Sequence, residues 1–348
     1  MDYQKGRGAQ IKPENKFLKQ HLSEFHAEGV DDFEKERVST QLYKDSAKKI
    51  INVVKSRDIP TPYSMNPYQG CEHGCSYYYA RITHEYYGFD SGLDFESRIV
   101  IKENAPRLLE KELSSPRWVP GPIMLSGNTD CYQPIEKQLG ITRKLLEVLV
   151  KFRHPVSVIT KNNLILRDID LLKDLASENL VHVMISITTL DEKLRSQMEP
   201  RTSTAQLRLK AIETLTHAGI PTGVMNAPVI PGLNHHEIPS VLKAAAEHGA
   251  QTAGMTIVRL NGSIGEIFSD WLKRNYPDRH EKVMSQIAEL HGGNVEDHVP
   301  GRRMEGSGNF ARTIHDLFDV SKRKYFAGRS FPPYDLTRFR KSGNLSLF

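Results

Sequence analysis

No apolar run in this 348-residue sequence approaches the roughly 18 residues that a membrane-spanning helix needs. The first residues, Met1-Asp-Tyr-Gln-Lys-Gly-Arg7, are polar and lack the pattern of a secretory signal peptide. Cysteine is scarce, and Cys71, Cys75 and Cys131 are an odd number that forms no disulfide framework. We therefore expect a cytoplasmic protein, not associated with a membrane, whose thiols are reduced.

The bulk composition is that of an ordinary globular protein. Hydrophobic residues make up 39% of the chain and charged residues 26%, and a chain of this length buries a sizeable core. The formal net charge is +5 at pH 7, which is compatible with a polyanionic partner but is weak evidence for one. Evidence about function must therefore come from local motifs.

Apolar runs rich in β-branched residues alternate with amphipathic stretches through the middle of the chain. The runs predict strands at residues 123–125, 156–159, 181–187, 223–225 and 255–258, with a further strand before Cys71. Apolar residues at helical spacing predict helices at residues 136–152, 169–180, 204–218 and 236–248. Near-continuous apolar strands separated by helices indicate parallel strands covered by helices.

About six β/α units follow from this alternation. They predict an α/β protein with a partial (β/α)6 TIM-like barrel, and a doubly wound open sheet is the alternative. We assign residues 49–262 to the barrel core and residues 263–348 to a C-terminal extension packed on it. Residues 1–48 are polar and form an N-terminal arm, in which a short helix near residues 14–25 is an alternative to an extended course.

The C-terminal extension begins as a helix and becomes basic and aromatic. Residues 264–290 have a helical pattern with a break at Pro277. Residues 321–342 hold seven Lys or Arg residues and one acid, Asp335, interleaved with five aromatic residues. Two interpretations stay open. The charges and rings contact the phosphates and bases of a nucleic acid, or the rings pack on the barrel while the charges remain in water.

Two of the three cysteines lie four positions apart in a glycine-containing loop. The stretch Cys71-Glu-His-Gly-Cys75-Ser-Tyr-Tyr78 has the form C-x3-C-x2-C with tyrosine at the last position. Thiolates at this spacing are typical ligands of iron or zinc. A zinc site made of Cys71, His73, Cys75 and His84 is one alternative, although the first three of these are crowded into one turn.

The wider loop, Asn66-Pro-Tyr-Gln-Gly-Cys71-Glu-His-Gly-Cys75-Ser-Tyr-Tyr-Tyr-Ala-Arg81, resembles the cluster loop of radical S-adenosylmethionine enzymes. It is most similar to the DNA-repair-photolyase-like branch, which is related to spore photoproduct lyase. Further matching stretches lie at residues 83–86, 127–136, 159–162, 199–202 and 227–233, so the resemblance covers roughly residues 60–260.

The resemblance implies a 4Fe–4S cluster, S-adenosylmethionine and an electron donor such as a flavodoxin or ferredoxin. In such enzymes three cysteines bind the cluster, the fourth iron binds the cofactor, and its reductive cleavage yields a radical that abstracts hydrogen from substrate. The roles it implies here are cluster ligation by Cys71 and Cys75, contact with the adenine by Tyr77, and contact with the cofactor's amino end by Asn128, Thr129 and Asp130.

Four further residues have roles implied by the resemblance, each with a simpler alternative. Ser186 would face the ribose, or would only satisfy backbone groups. Lys161 and Arg201 would contact the cofactor carboxylate or the substrate. The simpler alternatives are that Lys161 is a solvated loop residue and that Arg201 pairs with Glu199. Cys131 would return a hydrogen atom to a product radical, or would be a small buried residue. We expect all of them near the carboxyl ends of strands, where β/α barrels build their sites.

Tyr78 is the main departure from the family pattern, because it stands where the third thiolate is expected. A phenol has a pKa near about 10, against about 8.5 for a thiol, and its hard oxygen suits an iron–sulfide cluster poorly. Either the cluster is absent, or an alternative ligand such as the Tyr78 phenolate, His73 or Cys131 completes it, or Tyr78 is an isolated change in an otherwise intact enzyme. In each case we expect weaker cluster retention.

Besides the zinc protein described above, the motifs leave two functions open. The first is a radical S-adenosylmethionine enzyme with an impaired cluster, acting on an unidentified substrate for which nucleic acid is a candidate. The second is a non-catalytic relative that binds nucleic acid or protein with the retained barrel mouth and basic tail. The substrate itself is not identified by these motifs, because fold does not determine chemistry.

Overall fold

Ten strands in two sheets organise the described residues, 3–15, 17 and 39–341, of the computed structural model. Most of the helix considered near residues 14–25 lies outside the described residues. The strands are β1 (Gln41–Lys44), β2 (Ile51–Val53), β3 (Tyr63–Met65), β4 (Tyr68–Gln69), β5 (Arg98–Ile101), β6 (Ile123–Leu125), β7 (Val156–Thr160), β8 (Val181–Ser186), β9 (Thr222–Val229) and β10 (Ala253–Ile257).

The main sheet contains six parallel strands in chain order, β3-β6-β7-β8-β9-β10. The order does not reverse, so successive right-handed crossovers place their helices on one face of the sheet. This is the arrangement of a β/α barrel, whereas a doubly wound sheet reverses its order at a switch point. The partial six-stranded barrel is therefore confirmed. β2 extends the β3 edge in antiparallel fashion, and the two outer strands, β2 and β10, do not pair among the described residues.

The second sheet is small and was not expected from the sequence. β5 lies between β1, with which it is parallel, and β4, with which it is antiparallel. It supports the loop that follows β4, which carries Cys71 and Cys75.

Twelve α-helices accompany the strands within the described residues. They are α1 (Leu93–Ser97), α2 (Ala105–Leu113), α3 (Glu136–Leu139), α4 (Ile141–Phe152), α5 (Ile169–Ala176), α6 (Glu192–Met198), α7 (Ala205–His217), α8 (Ile238–Glu247), α9 (Ile264–Asn275), α10 (His280–Leu290), α11 (Arg302–Glu305) and α12 (Gly308–Tyr325). The single helix predicted at residues 136–152 is wrong in one respect, because Gly140 adopts φ 62° and separates α3 from α4. The break at Pro277 is present between α9 and α10.

The hydrophobic core lies between the convex face of the main sheet and its helices. Val158 and Val183 point outward to this layer and are fully buried together with Leu145 and Leu172. Alternate residues point to the concave face. Half-buried methionines lie on that face. They are Met124 of β6, Met184 of β8 and Met225 of β9.

The basic aromatic tail packs on the amino-terminal side of the barrel. The Tyr334 ring lies 4.0 Å from the ring of His182, between centroids, and its hydroxyl donates to the carbonyl of Val156 at the start of β7. The ring of Phe331 lies 4.4 Å from that of His182, between centroids, and the rings of Phe339 and His154 meet edge to face at 5.4 Å. These rings are therefore occupied inside the fold and are not available to stack on bases. No helix in the described part of the chain is long and apolar enough to span a membrane.

Candidate functional site

A pocket opens at the carboxyl ends of the parallel strands, where the sequence predicted the site. Seven residues line it: Cys71, His73, Cys75, Tyr78, Phe95, Asp130 and Lys161. Asp130 comes from the segment after β6, and Lys161 directly follows β7. The strand register therefore brings together residues from three separate motifs. Phe95 of α1 was not foreseen, because an isolated aromatic residue in the sequence gives no signal of a site.

Both loop cysteines are buried, with Cys71 3% and Cys75 6% exposed. Burial raises the pKa of Cys71, and nearby Asp130 and Cys75 raise it further. Burial and the nearby Glu199 raise the pKa of Cys75 to about 12. Both sulfurs are therefore thiols at neutral pH unless a bound cation compensates the thiolate charge.

Tyr78 lines the same pocket as the two cysteines. Its ring centroid lies 5.3 Å from that of Tyr79 and 6.0 Å from that of Phe95. Burial raises the pKa of Tyr78 well above its usual value, and the neighbouring Tyr79, Cys71 and Asp130 add to the shift. The phenol is therefore neutral at pH 7 and a poor ligand. A donor set of two thiols and one such phenol does not fit a cluster that needs three thiolates.

His73 offers a ring nitrogen beside the cysteines, and its imidazole is neutral. Burial lowers the pKa of His73 to about 4, although Asp130 opposes the shift with an oxygen 3.4 Å from Nδ1. The zinc alternative finds no support, since residues 3–15, 17 and 39–341 contain no group of three or more His, Cys, Asp or Glu side chains arranged to hold a metal ion. The ring of His84 packs instead against Phe89 and Phe95.

Asp130 is held by the ends of two strands. One oxygen accepts hydrogen bonds from the backbone N–H of Tyr132 (2.9 Å) and the hydroxyl of Thr160 (2.7 Å), and the other accepts from the N–H of Lys161 (2.8 Å). These contacts fix the carboxylate between the segments that follow β6 and β7. The side chain of Lys161, by contrast, has no ion-pair partner within the described residues, and its ammonium lies 5.9 Å from the Tyr77 ring centroid.

Asn128 and Thr129 are tied to the segment between β3 and β4. Their backbone N–H groups lie 2.8 and 3.4 Å from the side-chain oxygen of Asn66, and the Thr129 hydroxyl donates to the carbonyl of Tyr68. The predicted cofactor-contacting segment thus has a defined conformation against the cysteine loop.

A buried ion pair connects the cysteine loop to β8. Arg208 of α7 lies 2.5 Å from Glu199 and donates to the carbonyl of Ser186 at 3.0 Å. Tyr77 donates its hydroxyl to the same carboxylate, and Thr188 does so at 2.5 Å. Burial works against ionisation of Glu199, but Arg208, Lys161 and these hydroxyls hold its pKa at about 2.

The structure assigns different partners to two of the predicted residues. Arg201 lies 3.5 Å from Glu72 and does not pair with Glu199, which Arg208 occupies. Cys131 is not among the pocket-lining residues and lies fully buried in the main core. This location favours its interpretation as a small core residue, while the hydrogen-donor role stays a prediction.

A second buried ion pair contacts the cysteine loop, and no sequence pattern predicted it. The guanidinium of Arg81 donates twice to the carbonyl of Cys75, at 3.0 and 2.8 Å, and pairs with Glu96 at 2.5 Å. Glu96 in turn accepts the backbone N–H groups of Gly8 and Ala9. Arginine and glutamate this far apart in sequence give no pattern that would identify them as partners.

Comparisons with known proteins agree with this geometry. The Radical SAM superfamily model matches residues 65–245. An uncharacterized protein of Mycobacterium tuberculosis is 33% identical over 252 residues, covering 72% of each chain. One from Methanocaldococcus jannaschii is 32% identical over 249 residues, covering 71% of this chain and 88% of its own.

The structure of spore photoproduct lyase complexed with a dinucleoside spore photoproduct is similar to the present fold. The TM-score is 0.59 at 15% identity, and the match covers 87% of this chain and 86% of the other. At this identity the likeness establishes the fold alone. Taken with the family match over more than half of the chain and the pocket at the strand ends, it leads to one conclusion: the chain belongs to the radical SAM superfamily.

Proposed function

We propose that this chain is a radical SAM enzyme by descent whose cluster assembly is impaired by Tyr78. S-adenosylmethionine is the cofactor that the barrel mouth would hold, and its reductive cleavage is the chemistry that an intact cluster would supply. The observation that carries the proposal is the single pocket shared by Cys71, Cys75, Tyr78 and Asp130 at the carboxyl ends of the strands.

The remaining pocket residues support cofactor binding in this proposal. Lys161 offers an unpaired ammonium to a carboxylate, and Asp130 offers an anchored carboxylate close to the position of an amino group. Ser186 and Tyr77 lie where β8 meets the cysteine loop, which is consistent with contacts to the ribose and adenine. Arg201 remains partly exposed beside Glu72 and is a candidate contact for substrate.

The proposed partners follow from the same chemistry. An external electron donor such as a flavodoxin or ferredoxin would reduce the cluster, and a cytoplasmic location suits such a donor. A nucleic acid remains a candidate substrate, since spore photoproduct lyase has been solved with a dinucleoside photoproduct. The tail aromatics pack on the barrel. Base stacking by these rings therefore does not support a nucleic-acid substrate.

The decisive experiment replaces Tyr78 with cysteine. We expect the parent protein, reconstituted anaerobically with iron and sulfide, to hold less than one cluster per chain. Tyr78→Cys should hold a stoichiometric 4Fe–4S cluster with a reducible electron paramagnetic resonance signal, and should cleave S-adenosylmethionine to 5′-deoxyadenosine. Iron and sulfide counting and product chromatography measure both gains.

Two control variants separate the missing thiolate from the bulk of the ring. Tyr78→Ser removes the ring without adding a thiol, and Tyr79→Cys adds a thiol one position away. Neither should match Tyr78→Cys if ligation is the defect. A stoichiometric, reducible cluster in the parent protein would contradict the impairment, and no gain in Tyr78→Cys would contradict the role of this position.

A non-catalytic binding protein is the second candidate, and it is favoured by the pocket lining, in which a neutral phenol, Tyr78, lies beside the two buried thiols in place of a third. Under this alternative, the Tyr78→Cys variant binds a cluster but still does not cleave S-adenosylmethionine. Calorimetric titration of the parent with S-adenosylmethionine, beside the cleavage assay on the variant, distinguishes the two functions.

A further inference from the structure

Arg259 lies beside the pocket, two residues after β10. Its guanidinium carbon lies over the ring of Tyr79, 4.4 Å from the centroid. Tyr79 contacts Tyr78, which lines the pocket, and donates its hydroxyl to the carbonyl of Gly127 after β6. Two aromatic rings, Tyr79 and the pocket-lining Tyr78, therefore connect the guanidinium to the cysteine pocket.

The guanidinium of Arg259 has no carboxylate partner of its own within the described residues. The one hydrogen bond that its guanidinium makes to these residues is to the sulfur of Met304, at 3.3 Å, and sulfur is a weak acceptor. Asp58 is the nearby acid, but its oxygens are engaged by the N–H of Gly301 (2.8 Å) and by Arg303 (2.5 Å). Burial lowers the pKa of Arg259 and Arg303 adds to the shift, while Tyr79 and Asp58 oppose it. Keeping the guanidinium charged in this partly desolvated position is therefore unfavourable.

The parallel strands of the main sheet add no carboxylate that would repel an anion. None of the six parallel strands contains Asp, Glu, Lys or Arg. The concave face instead presents methionines, such as Met184 and Met225. A ligand that enters the barrel mouth therefore meets charged groups at the strand ends, where the cations Lys161 and Arg259 and the carboxylate of Asp130 lie, and not on the strands themselves.

We propose that Arg259, supported by the ring of Tyr79, is an anion-binding subsite that receives an acidic group of the substrate, a carboxylate or a phosphate. This inference rests on the proposed function, since it assigns a substrate class to the same barrel mouth. A guanidinium presents a planar set of donors that matches both groups, and stacking on an aromatic ring fixes its orientation. The desolvated, unpaired cation gains a partner when the ligand binds.

The test observes Arg259 itself. The Nε–Hε resonance of Arg259 is assigned in ¹⁵N-arginine-labelled protein by its absence from Arg259→Gln, and is titrated with inorganic phosphate and, separately, with acetate at constant ionic strength. We expect a saturable shift of this resonance with at least one of the two anions, and the stronger one identifies the chemistry of the acidic group. A resonance that responds to neither anion would overturn the proposal.

Two variants sharpen this test. In Asp58→Asn the nearby negative charge is removed while one amide oxygen can still accept from Gly301, so we expect tighter anion binding. In Arg259→Gln we expect at least about tenfold weaker binding by calorimetry, the loss that accompanies one charge-assisted hydrogen bond. Arg312→Gln, an exposed arginine of α12, is the matched control and should leave the affinity unchanged. Equal affinity in Arg259→Gln and the parent would contradict the assignment.

Parallel titration with S-adenosylmethionine separates this inference from the proposed function. If Arg259→Gln loses affinity for the cofactor, Arg259 contacts the cofactor carboxylate and the substrate subsite is wrong, while the proposed function stands. If the parent binds the anions at Arg259 but does not bind S-adenosylmethionine, the subsite stands and the proposed function fails.

Discussion

Ionisation of single buried side chains determines what the pocket can bind. The thiols of Cys71 and Cys75 and the phenol of Tyr78 all have raised pKa values, because burial disfavours their charged forms. Glu199 behaves in the opposite way, because Arg208 and Lys161 outweigh the burial of its carboxylate. Glu199, next to the pocket, thus stays ionised, while the pocket thiols stay protonated until a cation binds.

Glu199 should therefore contribute stability with a distinctive pH dependence. Glu199→Gln leaves Arg208 buried without its counter-ion, which typically costs about 3–5 kcal/mol. The folded-state pKa of Glu199, about 2, lies below its ordinary value of 4.5, so its contribution is present above about pH 4.5 and is lost as the pH falls toward 2. Urea unfolding of both proteins across this range measures the difference.

The control for this prediction is Glu213→Gln. Glu213 pairs with Lys210 at 2.8 Å on the surface of α7, where solvent screens the interaction. We expect little change in the free energy of unfolding for this variant. A Glu199→Gln protein as stable as the parent at neutral pH would show that the buried pair does not hold the cysteine loop.

Among the larger elements, the N-terminal segment of residues 3–15 acts as a strap over the cysteine loop. Gly8 and Ala9 donate their N–H groups to Glu96, and the Arg7 side chain donates to the carbonyl of the same residue. The strap approaches the loop so closely that a Cβ on Gly8 would lie 1.6 Å from the carbonyl oxygen of Gly74. This packing requires glycine for its lack of a side chain.

Gly8→Ala should therefore displace the strap. The clash is with backbone atoms, which cannot move aside as a flexible side chain would, so we expect loss of the contacts to Glu96 and destabilisation by about 1–3 kcal/mol, in the range of overpacked sites. Hydrogen-exchange mass spectrometry should show faster exchange at Gly8, Ala9 and the Cys71 loop. Lys12→Ala, an exposed position of the same segment, should exchange like the parent, and equal protection in Gly8→Ala would contradict the strap.

At the scale of the whole molecule, one polar contact joins two distant parts of the chain at the open side of the barrel. Asp58 lies between β2 and β3 at one edge of the main sheet, and Arg303 belongs to α11, which packs against β10 at the other edge. The carboxylate accepts from Arg303 at 2.5 Å and from the N–H of Gly301 at 2.8 Å. We call this pair the clasp, because hydrogen-bonded strands do not close the gap within the described residues.

Arg303→Ala should loosen the clasp without unfolding the barrel. Leaving the Asp58 carboxylate without its cation costs about 1–3 kcal/mol, and faster hydrogen exchange should be confined to residues 51–65 and 299–306. The N–H of Gly301 and Arg303 lower the pKa of Asp58, so acidification below its ordinary value of 3.8 should loosen the parent in the same way. Uniform exchange changes across the protein, or none, would contradict this assignment, and Arg312→Ala provides the unaffected control.

Much of the barrel was predictable because its signals are local. Strand β6 occupies the predicted residues 123–125, and α7 lies within the predicted residues 204–218. Thr204, the first residue of that predicted range, is the N-cap, and its hydroxyl accepts from the N–H of Leu207. Cys71, Cys75 and Asp130 were expected at strand ends and line one pocket. The break at Gly140 and the small second sheet were missed, because neither alters the hydrophobic period along the chain.

The sequence by itself determined the alternation of strands and helices, the family pattern and the donor set with Tyr78 in place of a third thiol. Each of these depends on residue type and spacing along one short stretch. Only the tertiary structure decided which charges meet: Arg208 pairs with Glu199, and Arg81 pairs with Glu96. Among the residues that the structure describes, no carboxylate pairs with Arg259. The two members of such an ion pair come from distant segments, and several side chains of the same charge are available to each. Which pair forms therefore depends on where the packed core places each backbone segment.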